Sequence, residues 1–326
     1  MKKNNSFRSN LEKLFGDPTK EILKSDYKKI RHLEFQPESN LVSRLEWVVT
    51  NLFKFENGKN LTLGGRQGSG KFVWWAFEDI ISEFQIRGIR PPPHLVTSNG
   101  QPVPFTLFGN NLKKAIRLWN RIGVKPKAYR FSKKKYLEAL LNDGDLRITP
   151  ASDYKDDVHS PARQDDELTV QLLRHPSQVK ITHHNPRTGE DSEMVPISDI
   201  RMQSTFGTNY YTLCLSHKFD PRMFDAFDAD ACLLIDDPQR LSSLLNEIMP
   251  LTRPGLCPTW PFKVGYMDYD NPHREPTPTL SKDIKYFFQS EVRLNWLRSA
   301  PFELKNIKPF FVNLKGIKDF CRLVEL

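Results

Sequence analysis

Apolar positions along this chain recur with two periods, and they divide it into a helical first part and a strand-rich remainder. After Asn40, Leu41, Leu45, Val48, Val49, Leu52 and Phe53 return every three to four residues. This predicts a helix capped by Asn40 and ended at Asn57-Gly58. Leu61-Thr62-Leu63 and a Gly-rich turn precede a second helical stretch carrying Trp74, Trp75, Phe77 and Ile81, which closes near Gly88. From residue 111 the pattern predicts a helix to Arg121, a strand at Lys127–Phe131, a Ser132-capped helix ending at Asn142-Asp143-Gly144, and a strand at Leu146–Ile148. A hairpin is expected around Asn185-Pro186-Arg187-Thr188-Gly189, between runs Gln178–His184 and Glu193–Ile197. Asn209–Ser216 is the most strand-like run and is expected to be central. Next come a helical turn at Pro221–Phe227, a strand at Ala231–Ile235, a helix opened by Pro238 and a strand at Phe262–Tyr266. Lys282–Phe288 has helical spacing. Beyond it Val292, Leu294 and Trp296 alternate with Arg293, Asn295 and Leu297, as in a half-buried strand, and a last strand is read at Pro309–Leu314.

This order implies an α+β fold with a mainly antiparallel sheet, because strands and helices do not alternate regularly. Pro91-Pro92-Pro93 opens a connection rich in Pro, Gly and Asn that runs to about Asn110. We therefore expect two units, a helical N-terminal region with its linker over 1–110 and an α+β domain over 111–326; residues 1–39 read as a polar lead-in with a short helix. The chain has 326 residues, 38% of them hydrophobic and 22 of them Phe, enough for a substantial core. No apolar run approaches the roughly 20 residues of a membrane span, and the basic start MKKNNSFRSN has no apolar stretch behind it, so a cytoplasmic protein is expected. Cys214, Cys232, Cys257 and Cys321 have no zinc-like spacing and are read as reduced core residues.

Charge changes the picture. The net charge of +9 is unevenly placed: residues 1–150 carry +13 and the remainder carries −4. Between Lys113 and Lys135 there are ten basic residues and no acid, among them Lys113, Lys114, Arg117, Arg121, Lys125, Lys133, Lys134 and Lys135. Such a block suits phosphates, and its neighbours Trp119, Tyr129 and Tyr136 favour nucleic acid. A solvated helix face with spare lysines is the competing reading.

Several stretches carry candidate chemistry. Gly65-x-x-x-x-Gly70-Lys71 is most of a phosphate-binding loop, but Phe72 stands where a magnesium-binding hydroxyl belongs. Ala231–Asp237 imitates the acidic strand of a nucleotide hydrolase. A Gly turn required by backbone angles is the simpler account. Asp165-Asp166-Glu167 reads as exposed acidic surface in a loop from Asp153, and His183-His184 as exposed; no metal site is assigned. Gln289-Ser290-Glu291 opens the late strand, where residues two apart share a face.

Three features occur in a telling order: Tyr129-Arg130 on the first strand after the linker, Cys214-Leu215-Ser216 ending a central strand, and Gln289-x-Glu291 opening a late one. Residues 125–326 thereby resemble the ADP-ribosyltransferase fold in its Arg…Ser…Gln-x-Glu version, within a widespread bacterial domain family of uncharacterised function. The resemblance implies a split, mainly antiparallel sheet and an NAD-dependent transferase. Arg130 would grip a phosphate or ribose of NAD, Ser216 would brace the nicotinamide pocket, and Glu291 would steady the ribosyl cation while Gln289 positions the acceptor. Tyr129 or Tyr154 would stack on the nicotinamide. His217 stands where the family has a hydroxyl residue and is a further candidate. The basic block beside Arg130 suggests nucleic acid, RNA before duplex DNA, as acceptor. An activity toxic to its own cell suggests a neutralising partner, as in toxin–antitoxin or phage-defence systems. A non-catalytic nucleic-acid-binding protein and a nucleotide hydrolase are the alternatives.

Overall fold

The computed structural model describes residues 27, 31–68, 70–103, 111–122, 126–155, 166–259, 261–270, 276–298 and 307–326. Most of the 1–39 lead-in, Ser69, Lys125 and Asp165 lie outside them.

The helical part is built on α1 (Glu38–Leu52) and α2 (Gly70–Arg87). Leu41, Leu45, Val48, Val49 and Leu52 of α1 meet Val73, Trp74, Phe77, Ile80 and Phe84 of α2 in one apolar cluster. The helix expected to run to Asn57 stops at Leu52. Phe53–Glu56 (β1) turns instead through Asn57-Gly58, both at positive φ, into Asn60–Leu63 (β2). Asn-Gly is a strong hairpin signal, and here it acts as one.

The C-terminal part is organised around β9 (Tyr211–Ser216), the strand expected to be central. One edge of β9 pairs along its whole length with β15 (Glu291–Arg298), which leads to β11 (Leu256–Pro258). The other edge forks. At Ser216 it meets Tyr129 of β3 (Ala128–Ser132), which leads to β10 (Ala231–Ile235) and β17 (Cys321–Glu325). At Thr212 and Tyr211 it meets β4 (Asp145–Pro150), which leads to β16 (Phe310–Asn313). Every pairing in this nine-stranded sheet is antiparallel. The chain is thus a mixed α/β protein with antiparallel sheets.

The antiparallel register divides β9 and β15 into two faces. Leu213, Leu215, Leu294 and Trp296 face an apolar core roofed by α4 (Lys134–Asp143) and α6 (Pro238–Thr252) through Leu137, Leu140, Leu241 and Leu245. On β3 the Tyr129 and Phe131 side packs against Trp119 of α3 (Leu112–Arg121) and against Phe219 and Phe224. Phe224 belongs to the short helix α5 (Arg222–Ala226). Outside the sheet, β5 (Thr169–Arg174) pairs with β8 (Ile200–Thr205), and β6 (Ile181–His184) with β7 (Asp191–Met194), the expected hairpin.

The expected strand at Phe262–Tyr266 is two pieces, β12 (Phe262–Lys263) on β15 and β13 (Gly265–Met267) parallel to β14 (Ser281–Asp283). A 3-10 helix, Ile284–Gln289, follows and joins the two parts of the molecule. Asn51 of α1 donates to the Lys285 carbonyl (2.8 Å) and accepts from the Phe288 N–H (2.9 Å). Ile284 is buried in the N-terminal apolar cluster, and Arg44 of α1 is ion-paired to Asp268 and Asp270. Among the described residues no helix is long and apolar enough to cross a membrane. The four cysteines are free, but Cys257 is exposed rather than part of a core.

Candidate functional site

The face of β9 and β15 turned away from the apolar core is buried and polar. Register opposes Ser216 to Glu291, Cys214 to Arg293 and Thr212 to Asn295. Glu291 is 4% exposed and Arg293 0%. Carboxylate oxygens of Glu291 are both occupied: Arg293 Nε donates to Oε1 at 2.5 Å and Lys282 Nζ to Oε2 at 3.0 Å. Arg293 is also ion-paired to Glu167, and Lys282 lies 3.6 Å from the same residue. Further Arg293 donors meet the carbonyls of Pro278 (3.3 Å) and Thr279 (3.2 Å).

Two cations and two anions therefore neutralise one another out of water. Burial alone would raise the pKa of Glu291. Arg293 and then Lys282 outweigh it by charge and hydrogen bonding, so the carboxyl is held well below its usual range and stays ionised. Oxygens of Glu167 and Glu291 and Cys214 Sγ lie within 4.8 Å of one another. A metal there would have to displace Lys282 and Arg293 from both carboxylates. Burial pushes the Cys214 thiol far up, which leaves it a weak nucleophile.

The expected triad is gathered only in part. Ser216 and Glu291 are register partners, but Ser216 Oγ turns to the backbone, lying 2.6 Å from the Lys218 carbonyl and 2.7 Å from that of Gln289. It braces the turn before β15 rather than the carboxylate. Arg130 reaches the Cys214 carbonyl at 3.4 Å. That carbonyl sits where β9 has left β3 and has not yet met β4, so Arg130 fills the crotch of the fork. Tyr154, on the 3-10 turn after β4, lies in the field of Cys214, Arg130, Glu167 and Glu291; burial raises its pKa and keeps the phenol protonated.

Other expected residues are placed differently. Gln289 and Glu291 do not share a strand face. Gln289 ends the 3-10 helix at 2% exposure, and Ser290, at φ 46° and ψ 50°, breaks the chain before β15 starts. Tyr129 cannot stack on a ligand, because its ring is buried between Trp119 and Phe219 and its hydroxyl donates to the Pro126 carbonyl. His217 donates Nδ1–H to the Ser290 carbonyl (2.6 Å) and is kept neutral chiefly by burial. Glu167 was expected on an acidic surface; it is buried at 3% exposure, and sequence reasoning missed its role together with those of Lys282 and Arg293. Arg293 could have been found, since it shares the period-two face with Glu291. Glu167 has no local signal.

The basic block is divided. Lys133 pairs with Asp228, Lys134 with Glu138 and Glu325, and Lys135 lies over the exposed Tyr136 ring. Lys113, Lys114 and Arg117, with Arg121, are exposed on α3 and form no ion pair among the described residues. Trp119, expected to meet nucleic acid, is a core residue.

The Gly-rich turn Gly65–Lys71 follows a strand of a two-stranded hairpin, not of a parallel sheet. Lys71 Nζ lies over the rings of Phe72 (4.9 Å) and Trp75 (5.1 Å). The acidic residues after β10 belong to another sheet, where Asp236 pairs with Arg322 and Asp237 caps α6. Comparison with known proteins finds no family model that matches the chain, no similar curated protein and no similar solved structure.

Proposed function

We propose that this chain is an NAD-dependent ADP-ribosyltransferase that modifies a macromolecule. The observation that carries the reading is the fork of the sheet at β9: Arg130 lies in its crotch, and Ser216 stands opposite Glu291 at the adjoining strand ends. An ionised carboxylate at the end of β15 and the planar donors of Arg130 in the fork suit the two ends of NAD. Arg130 would hold a phosphate or ribose hydroxyl with two parallel donors. As the bond from ribose C1′ to the nicotinamide nitrogen breaks, the electron pair leaves with nicotinamide and positive charge builds on the ribose. Glu291 would stabilise that charge, as carboxylates do in glycoside cleavage. The acceptor then bonds to C1′ and loses a proton.

In the structure Lys282 occupies the oxygen the ribose would approach, so the reaction requires β14 to withdraw. Nucleic acid, RNA first, is the proposed acceptor. An activity of this kind calls for a neutralising partner in its own cell, an argument by analogy with toxin–antitoxin and phage-defence effectors.

The test is incubation with labelled NAD and RNA, DNA or cell lysate. Glu291→Gln should lower transfer about 10²- to 10⁴-fold. Arg130→Lys, which keeps the charge and loses the fork, should raise KM for NAD. Unchanged transfer by a folded Glu291→Gln variant, or no NAD turnover by either the parent or Lys282→Ala, removes the proposal. The closed carboxylate together with the α3 cations, which form no ion pair among the described residues, favours a second reading, a nucleic-acid-binding protein without catalysis.

A further inference from the structure

We infer that α3 and the β1–β2 turn form a binding surface for single-stranded nucleic acid, with a phosphate-binding ridge that ends in a base-sized cleft. This inference goes beyond the transferase reading and stands without it.

The ridge comes from helix geometry. Leu112, Ala115 and Trp119 bury one side of α3, which leaves Lys113, Lys114, Arg117 and Arg121 outside. Lys113, Arg117 and Arg121 are four residues apart, so they form one row with charges about 6 Å apart along the axis. That step matches successive phosphates of an extended strand better than scattered lysines would. Asp225 is engaged at the first turn, accepting from Asn111 Nδ2 (2.9 Å) and its N–H (3.4 Å), and Glu56 pairs with Lys54.

The helix is also held firmly. The Trp119 ring stacks on Phe219 at 4.6 Å, and Gly58 lies so close to its other face that a Cβ there would sit 2.5 Å from the ring. Gly58, at φ 67°, is thus the residue that lets the β1–β2 turn close on α3. A rigid row of donors loses less freedom on binding than a flexible one.

Where the row ends, a cleft of about 290 Å³ opens, lined by Asn57, Lys59, Trp119, Asn120 and Ile122. Its lining suits a nucleobase: the exposed Asn120 amide to meet a base edge, the rim of Trp119 and Ile122 as an apolar side, and the Lys59 ammonium for the adjoining phosphate. Bases enter such clefts from single strands, which need not be unpaired first. A duplex would keep its bases stacked and use the ridge alone.

The test uses the full chain with a fluorescent 12-nucleotide RNA, the same DNA single strand, and a duplex, titrated from low to physiological salt. Four to five phosphate contacts predict a slope of log K against log salt of about −3 for the single strands. Arg117→Ala with Arg121→Ala should reduce that slope by about 1.4. Asn120→Ala should leave the slope unchanged and narrow the preference for single strand over duplex. Both variants alter exposed side chains, and a melting curve equal to the parent's shows that they fold. Absent binding, binding insensitive to the Arg pair, or equal binding of duplex and single strand would overturn the inference. Glu291→Gln should bind RNA as the parent does, so failure of catalysis and failure of this surface remain distinguishable.

Discussion

Lys282 and Glu291, nine residues apart in sequence, meet through a 3.0 Å ion pair that crosses from the parallel strand pair to the main sheet. In the proposed reaction, the ammonium occupies the place the ribosyl cation would take beside that carboxylate. Replacing it separates a structural role from a gating one. Lys282→Met leaves Arg293 alone against two buried carboxylates, which should cost about 3–5 kcal/mol. Adding Glu167→Gln restores neutrality and should recover about 1–2 kcal/mol of this in a double-mutant cycle followed by urea unfolding. If Lys282 also gates the site, the folded double variant turns over NAD faster than the parent.

Arg293 is wholly buried and touches Glu291, Glu167 and two carbonyls. Arg293→Met should be the most damaging change on this face, at about 3–5 kcal/mol, because it strands two carboxylates with one ammonium. Arg293→Lys should cost nearly as much, since one ammonium cannot serve four directions. Soluble yield and chemical denaturation measure both.

Gly58→Ala tests the seat of α3. Positive φ and the Trp119 ring 2.5 Å from the added Cβ act together, and a loss of about 2–3 kcal/mol is expected. Gly68, also at positive φ but with open space around it, should lose about 1 kcal/mol on the same change.

His32 and Asp79 predict a pH signature in the N-terminal part. His32 Nε2 lies 3.6 Å from Asp79 Oδ2. Burial lowers His32 to about 4, and burial raises Asp79 to about 7 with help from Asp268 and against Arg44. Between pH 4 and 6.5 the unfolded chain protonates His32 and the folded one does not, so this residue makes stability rise with pH. Over about pH 4 to 7 the folded chain protonates Asp79 and the unfolded one does not, so this residue makes stability fall with pH. The two slopes oppose each other. Relative to the parent, Asp79→Asn should show stability rising more steeply with pH up to about 7, and His32→Gln should show the reverse between pH 4 and 6.5. Urea midpoints at pH 4.5, 5.5, 6.5 and 7.5 are the measurement.

The elements were legible wherever periodicity ran long enough. Helical spacing marked α1 and α2, and the strand-like run at Asn209–Ser216 marked the central strand, whose apolar face carries Tyr211, Leu213 and Leu215. Breaks were misread. Asn57-Gly58 looked like a helix end and is a hairpin turn, and Gln289-Ser290-Glu291 looked like one strand face but contains a left-handed residue.

Sequence by itself determined the mixed class with mainly antiparallel sheets, the basic bias of the first 150 residues and the alternation that puts Glu291 on a different face from Leu294. These follow from local periods and from charge, which need no knowledge of distant partners. Only the tertiary structure decided that Glu291 is closed rather than open. Its neighbours Glu167 and Lys282 come from other segments, and an isolated charge cannot remain in a dry sheet face unless the fold brings it an opposite one. It likewise decided which lysines of the basic block are paired among the described residues, since that depends on where Glu138 of α4, Asp228 and Glu325 of β17 fall in space.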